Sequence, residues 1–274
     1  MNEFIAYFST IPPLHRSLFL VCGITFFWFI ENTFPLFQLK YHKWKHAGIN
    51  FFLTFTTLVI NFCLAFILLK SSDWATTTHF GILEWLPKIP LTLYTILGLL
   101  LLDFIGAYLP HFIQHKTKFL WRLHIVHHSD TWIDTTSANR HHPGESIIRF
   151  IFTTFGVLLV GSPMWMVLLY QTLSLIATQF NHANLSLPKK VDTYLSFIIV
   201  SPNMHKVHHH YMLPYTDSNY GNIFSIWDRL FGTFMTLSTD KIIYGIDTHM
   251  KPEEHNSLKN LLKIPFQKRR NPTS

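Results

Sequence analysis

Cysteine is almost missing: Cys22 and Cys63 are the only two in 274 residues, and both fall inside apolar stretches. They read as small buried apolar groups, which excludes a disulfide framework, a thiolate metal pair and a ferredoxin-type cluster set. Acidic residues are few as well, 15 against 22 Lys and Arg, leaving a net charge of +7. The basic residues lie between or after apolar runs, not interleaved along one polar face, so nucleic acid is not an expected partner. No Gly-rich dinucleotide fingerprint, flavin domain or His-Glu-x-x-His occurs, which removes a built-in reductase and a zincin-type protease. Only Arg16 precedes the first apolar run, and no small-residue cleavage site follows it, so a retained first span is expected. No internal repeat or low-complexity tract is evident.

Apolar residues, by contrast, make up 49% of the chain, with 26 Phe. This reads as a small polytopic membrane protein with one functional unit. Spans are expected over residues 17–37, 50–69 and 89–110, the second without a single charge and long enough to cross about 30 Å of hydrocarbon. Residues 147–180 form a further apolar region with a turn signal at Gly161-Ser162-Pro163, read as a hairpin of tilted helices or a re-entrant pair. Gly81-Ile-Leu-Glu-Trp-Leu-Pro87 reads as a loop or interfacial turn, and 194–200 as a short interfacial or buried helix. The fold class is therefore all-α integral membrane, with four to five transmembrane or re-entrant helices and a histidine-rich helical cap. Placing the basic stretches around Lys40–Lys45, Lys116–Arg122 and the tail from Lys241 in the cytoplasm puts the N-terminus outside and the histidine clusters on one cytoplasmic face. The tail, 256–274, reads as an amphipathic anchor on an anionic leaflet or as a frayed basic end.

Three histidine clusters stand beside these spans: His111-Phe-Ile-Gln-His115, His124-Ile-Val-His127-His128 and His205-Lys-Val-His208-His209. In a helix, positions i, i+3 and i+4 share a face, so each cluster forms a patch or clamp of imidazoles. Adjacent histidines point about 100° apart, which suits two neighbouring metals better than one. His142 and His182 join the set, giving ten imidazoles, enough for two ions with open positions left over. His15, His42, His46, His79, His249 and His255 read as surface or interfacial, and His141 and His210 as spare neighbours of better candidates. Trp121, Trp132 and Trp165 read as interfacial anchors or as the lining of a lipid path. A metal transporter would place its ligands near the midplane of the spans, whereas here only Asp103 and Glu31 sit within them.

The three clusters, together with Arg140-His-His-Pro-Gly-Glu145, Asn181-His-Ala-Asn-Leu185, Pro202-Asn-Met-His205 and Asn219-Tyr-Gly-Asn-Ile-Phe-Ser-Ile-Trp-Asp-Arg-Leu-Phe-Gly-Thr233, carry a resemblance. From 91 to 234 the chain resembles the fatty acid hydroxylase and sterol desaturase superfamily, closest in wording to bacterial sterol desaturase family proteins. The resemblance implies a membrane hairpin over 1–88, a catalytic domain over 89–238 and a basic tail over 239–274. It implies a di-iron centre that uses O2 to hydroxylate or desaturate a membrane lipid or sterol, or to act on an ether lipid. The implied ligands are His111, His115, His124, His127, His128, His142, His182, His205, His208 and His209. Asp103, Glu145 and Asp228 are the nearest carboxylates able to orient a ligand ring. Phe112 stands where the family pattern has Arg, and Asp103 to Tyr108 is one residue longer than that pattern, which bears on the local helix register. Iron is the expected metal because oxidising an unactivated carbon needs a redox ion, although zinc binds all-nitrogen sites well and can substitute in purified protein. Electrons are expected from a separate cytochrome, ferredoxin or flavoprotein, or from a soluble pterin, in a bacterial inner membrane sooner than the endoplasmic reticulum.

Overall fold

The computed structural model describes residues 2–272. Short α1 (Asn2–Ser9) precedes α2 (Pro13–Thr33), which begins with Pro at its first turn, where the missing N–H costs nothing. Next come α3 (Lys43–Thr77), α4 (Leu91–Asp103), a π-helical turn over Phe104–Tyr108 and α5 (Leu109–Lys116). The last three run without a break as one helical rod, Leu91–Lys116. There follow α6 (Lys118–His128), α7 (Pro143–Val160), α8 (Met164–His182), α9 (Lys189–Leu195), α10 (Pro202–His208), α11 (Ile226–Leu230), α12 (Pro252–His255) and α13 (Leu258–Lys263). Among the described residues no strand forms, and three isolated bridges tie loops together.

Four helical stretches are long and apolar enough to cross a membrane: α2, α3, the rod Leu91–Lys116 and α7. Their outer faces carry bare phenylalanines such as Phe26, Phe29, Phe55 and Phe62, a surface fitted to lipid and not to water. Cys22 and Cys63 lie on these outer faces and are exposed, correcting the expectation of buried thiols: the helices present them to lipid instead of to the core. At 35 residues α3 is about 50 Å long, well over one hydrocarbon thickness, so its N-terminal turns stand in the cap, where His46 and Asn50 are buried.

Residues 147–180 do divide at Gly161, whose left-handed φ of 73° ends α7, before Pro163 opens α8. Both arms pack on α4. The 81–86 turn docks at this corner through Ile82 N–H to the Leu159 carbonyl and Leu83 N–H to the Val160 carbonyl, each 2.9 Å. A Cβ on Gly81 would lie 2.3 Å from the Gly161 nitrogen, so this backbone-on-backbone contact requires glycine. Leu68, Leu83, Leu102, Ile105, Val157, Val160 and Met166 fill the core between these helices.

Two expectations shift. The 194–200 helix lies earlier, at Lys189–Leu195, because Pro188 sets its start and Phe197 and Ile198 fall in an exposed turn. The C-terminal segment packs over its first half, with Leu261 and Ile264 buried beside Leu53, Ile125, Val126 and Ile246, while Phe266 and residues 268–272 stay exposed and 273–274 lie outside the described residues. The π-turn at Phe104–Tyr108 takes up one residue more than an α-helix would, just where the interval after Asp103 is one residue long.

Candidate metal centre

Each cluster is placed by its own helix end. His111 and His115 ride on α5, one turn apart, and His124, His127 and His128 on the last turns of α6. His182 closes α8, while His205 and His208 lie on α10 with His209 as its cap. Helix α10 begins with Pro202 behind Ser201, whose hydroxyl accepts the Met204 N–H at 3.3 Å. Fully buried Lys206 donates to the Ala183 carbonyl at 2.5 Å, fastening α10 to the residue after His182.

Two groups of imidazole nitrogens result, within each of which the nitrogens lie within 4.8 Å of one another. One contains His111, His115, His124, His128 and His208, the other His127, His182, His205 and His209. All nine are buried. Neighbours in sequence part company, His127 from His128 and His208 from His209, as their 100° offset requires. The His111 and His128 rings both approach His208, at centroid distances of 4.5 and 4.6 Å.

The hydrogen bonds say what these nitrogens await. His111 Nδ1–H donates to the Tyr220 carbonyl at 2.8 Å and His124 Nδ1–H to Glu145 Oε1 at 2.8 Å. Each ring therefore bears a lone pair on Nε2, yet the two Nε2 atoms sit 3.1 Å apart. Two facing lone pairs repel unless a cation lies between them. Nitrogens about 2.1 Å from a shared ion are roughly 3 to 4 Å apart, so the spacing fits. His115 Nε2, His208 Nε2 and both nitrogens of His128 are buried with no hydrogen-bond partner among the described residues. The donor set is all-imidazole and suits iron or zinc. Burial, followed by repulsion from neighbouring imidazoles, holds the proton affinities of His127, His128, His205 and His209 well below the usual histidine range, and that of His208 at about 3. These rings are neutral imidazoles at physiological pH, able to offer a lone pair to a metal ion.

His142 stands apart from both groups. Its Nδ1 accepts the Gly144 N–H at 3.0 Å and caps α7. Its neighbour His141, read from the sequence as spare, turns inward, with its ring 5.0 Å from that of His127. Of the three carboxylates, only Glu145 touches a ring of either imidazole group directly, that of His124. Asp103 instead accepts the Ile223 and Phe224 N–H groups at 3.2 and 3.1 Å and the Trp227 indole N–H. Asp228 accepts the Tyr220 and Gly221 N–H groups at 2.7 and 2.9 Å, so it fixes the carbonyl that holds His111. Sequence reasoning missed Asp217, which holds His115 Nδ1 at 3.2 Å, the Ser218 carbonyl on His208 at 2.6 Å, and Asn181 on His182 at 2.8 Å. Spacing gave no sign of Asp217 or Ser218; Asn181 was adjacent to its histidine and could have been found.

His46, His249 and His255 are buried, not superficial. His46 Nε2 meets both Asp130 oxygens at 2.9 Å. Burial alone would raise the Asp130 carboxyl, but His46 and Arg140 hold it well below the ordinary carboxylate range. Arg140, fully buried, donates to the Val126 carbonyl, Asn50 and the His255 carbonyl, locking the cap. Glu31, near the C-terminal end of α2, accepts the N–H groups of Thr135 and Asn184, each at 2.9 Å. Trp132 stacks on Tyr41, and Trp121 packs on the His115 and His128 rings.

The fatty acid hydroxylase family pattern matches residues 95–233, which hold all nine clustered histidines. The chain belongs to the fatty acid hydroxylase family. Similar curated members of the family include ornithine lipid hydroxylase OlsE from Rhizobium tropici, 28% identical over 55% of this chain and 44% of that protein. Alkylglycerol monooxygenase from Danio rerio is 34% identical over 53% of this chain and 31% of its own length. Methylsterol monooxygenase 1 from Rattus norvegicus is 26% identical over 55% and 50%. The chain thus spans half or less of these family members. No solved structure matches it.

Proposed function

We propose that this chain is an O2-dependent membrane lipid hydroxylase with two histidine-bound iron ions. The observation that carries this reading is the pair of buried imidazole groups whose Nε2 atoms face one another at about hydrogen-bond distance. The nine clustered histidines are the proposed ligands. The two ions, when bound, supply the redox chemistry that couples O2 reduction to oxidation of an unactivated C–H bond.

The chain's own residues prepare that chemistry. Buried neutral imidazoles spend no ligand on a proton, and Glu145, Tyr220, Ser218 and Asn181 keep Nδ1 protonated so that Nε2 faces inward. Closed packing of Trp121, Tyr220 and the ligand rings excludes bulk water from the ions. Apolar helices α2, α3, α4 and α7 deliver a lipid from the bilayer, and the histidine cap faces the cytoplasm, in a bacterial inner membrane by our reading. Electrons come, on this reading, from a separate cytochrome, ferredoxin or flavoprotein, or from a soluble pterin. The relatives' names favour oxygen insertion, and an ether-lipid monooxygenase or a desaturase would use the same site.

Untargeted lipid mass spectrometry on membranes from cells expressing the wild type or the His124→Ala, His208→Ala double variant tests this. A lipid heavier by one oxygen, present only with the wild type, is expected. A species lighter by two hydrogens makes the chain a desaturase, and identical lipidomes defeat the reading.

A further inference from the structure

A cavity of about 280 Å³ opens between the α5–α6 corner and the C-terminal segment, outside the lipid-facing helices. Its inner wall includes His115 and Trp121; its rim carries Lys116, Lys118, Arg122, Lys268, Arg269 and Arg270 against the acids Asp217 and Asp247. Lys116 and Arg122 are already engaged, with Asp217 and the Gln267 carbonyl, and Arg270 with Glu254. Lys118, Lys268 and Arg269 are exposed and make no ion pair or hydrogen bond among the described residues.

The cavity approaches the metal centre from behind. Asp217, itself part of the wall, holds His115 Nδ1, so the His115 Nε2 edge points the other way, into the five-histidine group. The Trp121 ring lies 4.6 Å from that of His115 and 5.2 Å from that of His128, covering two ligands at once. A substrate carbon in this cavity is therefore barred from the ions by an imidazole ring. An electron is not barred, since it can pass through the His115 ring and the Trp121 ring in van der Waals contact with it. Hydroxylation consumes O2, two electrons and two protons per C–H bond and yields the alcohol and water, and no redox centre within this chain's own sequence motifs supplies the electrons.

We propose that this basic cavity is the docking site of an acidic electron-transfer protein, with His115 and Trp121 as the point of electron entry. The proposal rests on the oxygenase reading above. Charge favours a protein: the unpaired cations come from two separate segments and form a rim, which suits the small, electrostatically steered contacts of redox encounters. A second basic hollow, of about 210 Å³ and lined by Lys40, His42 and Lys45, touches none of the nine clustered histidines and serves as an internal control.

The test uses the iron-loaded 274-residue chain in detergent and a plant-type ferredoxin as the acidic probe. Binding and the rate of ferredoxin re-oxidation are measured for the wild type, for the Lys118→Glu, Lys268→Glu, Arg269→Glu triple variant, and for a Lys40→Glu, Lys45→Glu control. The triple variant is expected to bind at least about tenfold more weakly and to re-oxidise the probe correspondingly slowly, with the control within about twofold of wild type. Iron content and dithionite-driven lipid oxidation should be equal in all three. Wild-type rates in the triple variant, an equal loss in the control, or no binding by the wild type overturns the proposal. Displacement of ferredoxin by glycerol 3-phosphate at constant ionic strength reassigns the cavity to a lipid headgroup and also overturns it. Failure of dithionite to support any lipid oxidation would instead defeat the oxygenase reading, while the binding result stands on its own.

Discussion

The two imidazole groups are made of the same side chain but are held very differently. In the five-histidine group, four rings have Nδ1 anchored, by the Tyr220 and Ser218 carbonyls, Glu145 and Asp217. In the four-histidine group only His182 is anchored, by the Thr178 carbonyl and Asn181; Nδ1 of His127, His205 and His209 has no hydrogen-bond partner among the described residues. A ring locked by a partner on its far nitrogen is preset for coordination, whereas an unbraced ring must be ordered by the ion itself. The comparison teaches that identical ligands need not make equal sites. One ion is expected to be held tightly and the other to exchange.

The largest effect should come from deleting a ligand on the weaker side. His205→Ala leaves three imidazoles there and should lose one of two ions, with activity falling more than about 100-fold, beyond what loss of an orienting partner alone produces. His128→Ala leaves four in the braced group and should retain both ions. Metal analysis of the two purified variants decides the matter, and equal losses would break the asymmetry.

Chelation should sharpen the same contrast. Titration with a competing chelator is expected to remove the ions in two phases, the first disturbing the four-histidine group. Acid should act in the same order. Ligands must be unprotonated, and these rings hold protons less readily than histidines in the unfolded chain, whose value is about 6.5. Below that pH the unfolded chain takes up more protons than the folded one, so stability falls as pH drops from about 6.5 towards the folded values, near 3 for His208. Thermal melts of the metal-free protein between pH 7 and 4 should show this decline; a flat profile would show that burial does not keep the rings neutral.

A smaller change is expected for Glu145→Gln, which keeps an acceptor on His124 but removes its charge: roughly 10-fold weaker metal binding, confined to the braced group. Asp217→Asn, at a partly exposed site, should cost less than that, and a loss exceeding that of Glu145→Gln would reverse their ranking. Least of all, Cys63→Ser on the lipid-facing surface should leave metal content and melting temperature unchanged within error.

Much of this was legible beforehand, and the boundary is physical. Spacings of three and four residues place histidines on one helix face whatever the tertiary context, so the clusters in α5, α6 and α10 could be read directly. Long apolar runs likewise announced α2, α3 and α4. Which ring joins which ion depends instead on how helices far apart in sequence are set against one another; nothing local pairs His182 with His205. The choice between His141 and His142 turned on the start of α7, where Pro143 makes His142 the cap and frees His141 to face inward. His46 and Arg140 were hidden for the same reason: their partners, Asp130, Asn50 and the His255 carbonyl, come from elsewhere in the chain.

The π-turn at Phe104–Tyr108 has a consequence for how the rod Leu91–Lys116 serves two masters. Its lower part must show Leu102 and Asp103 to the core and the 220s loop, while its upper part must aim His111 and His115 into the five-histidine group. One extra residue turns the upper part about 100° relative to the lower, the angle of a single helical step. The turn works as a phase adjuster between membrane anchor and metal ligands, letting each face be chosen without regard to the other. Removing one residue from Ile105–Ala107 would restore a regular helix and swing the clamp off the ions while leaving every histidine in the chain.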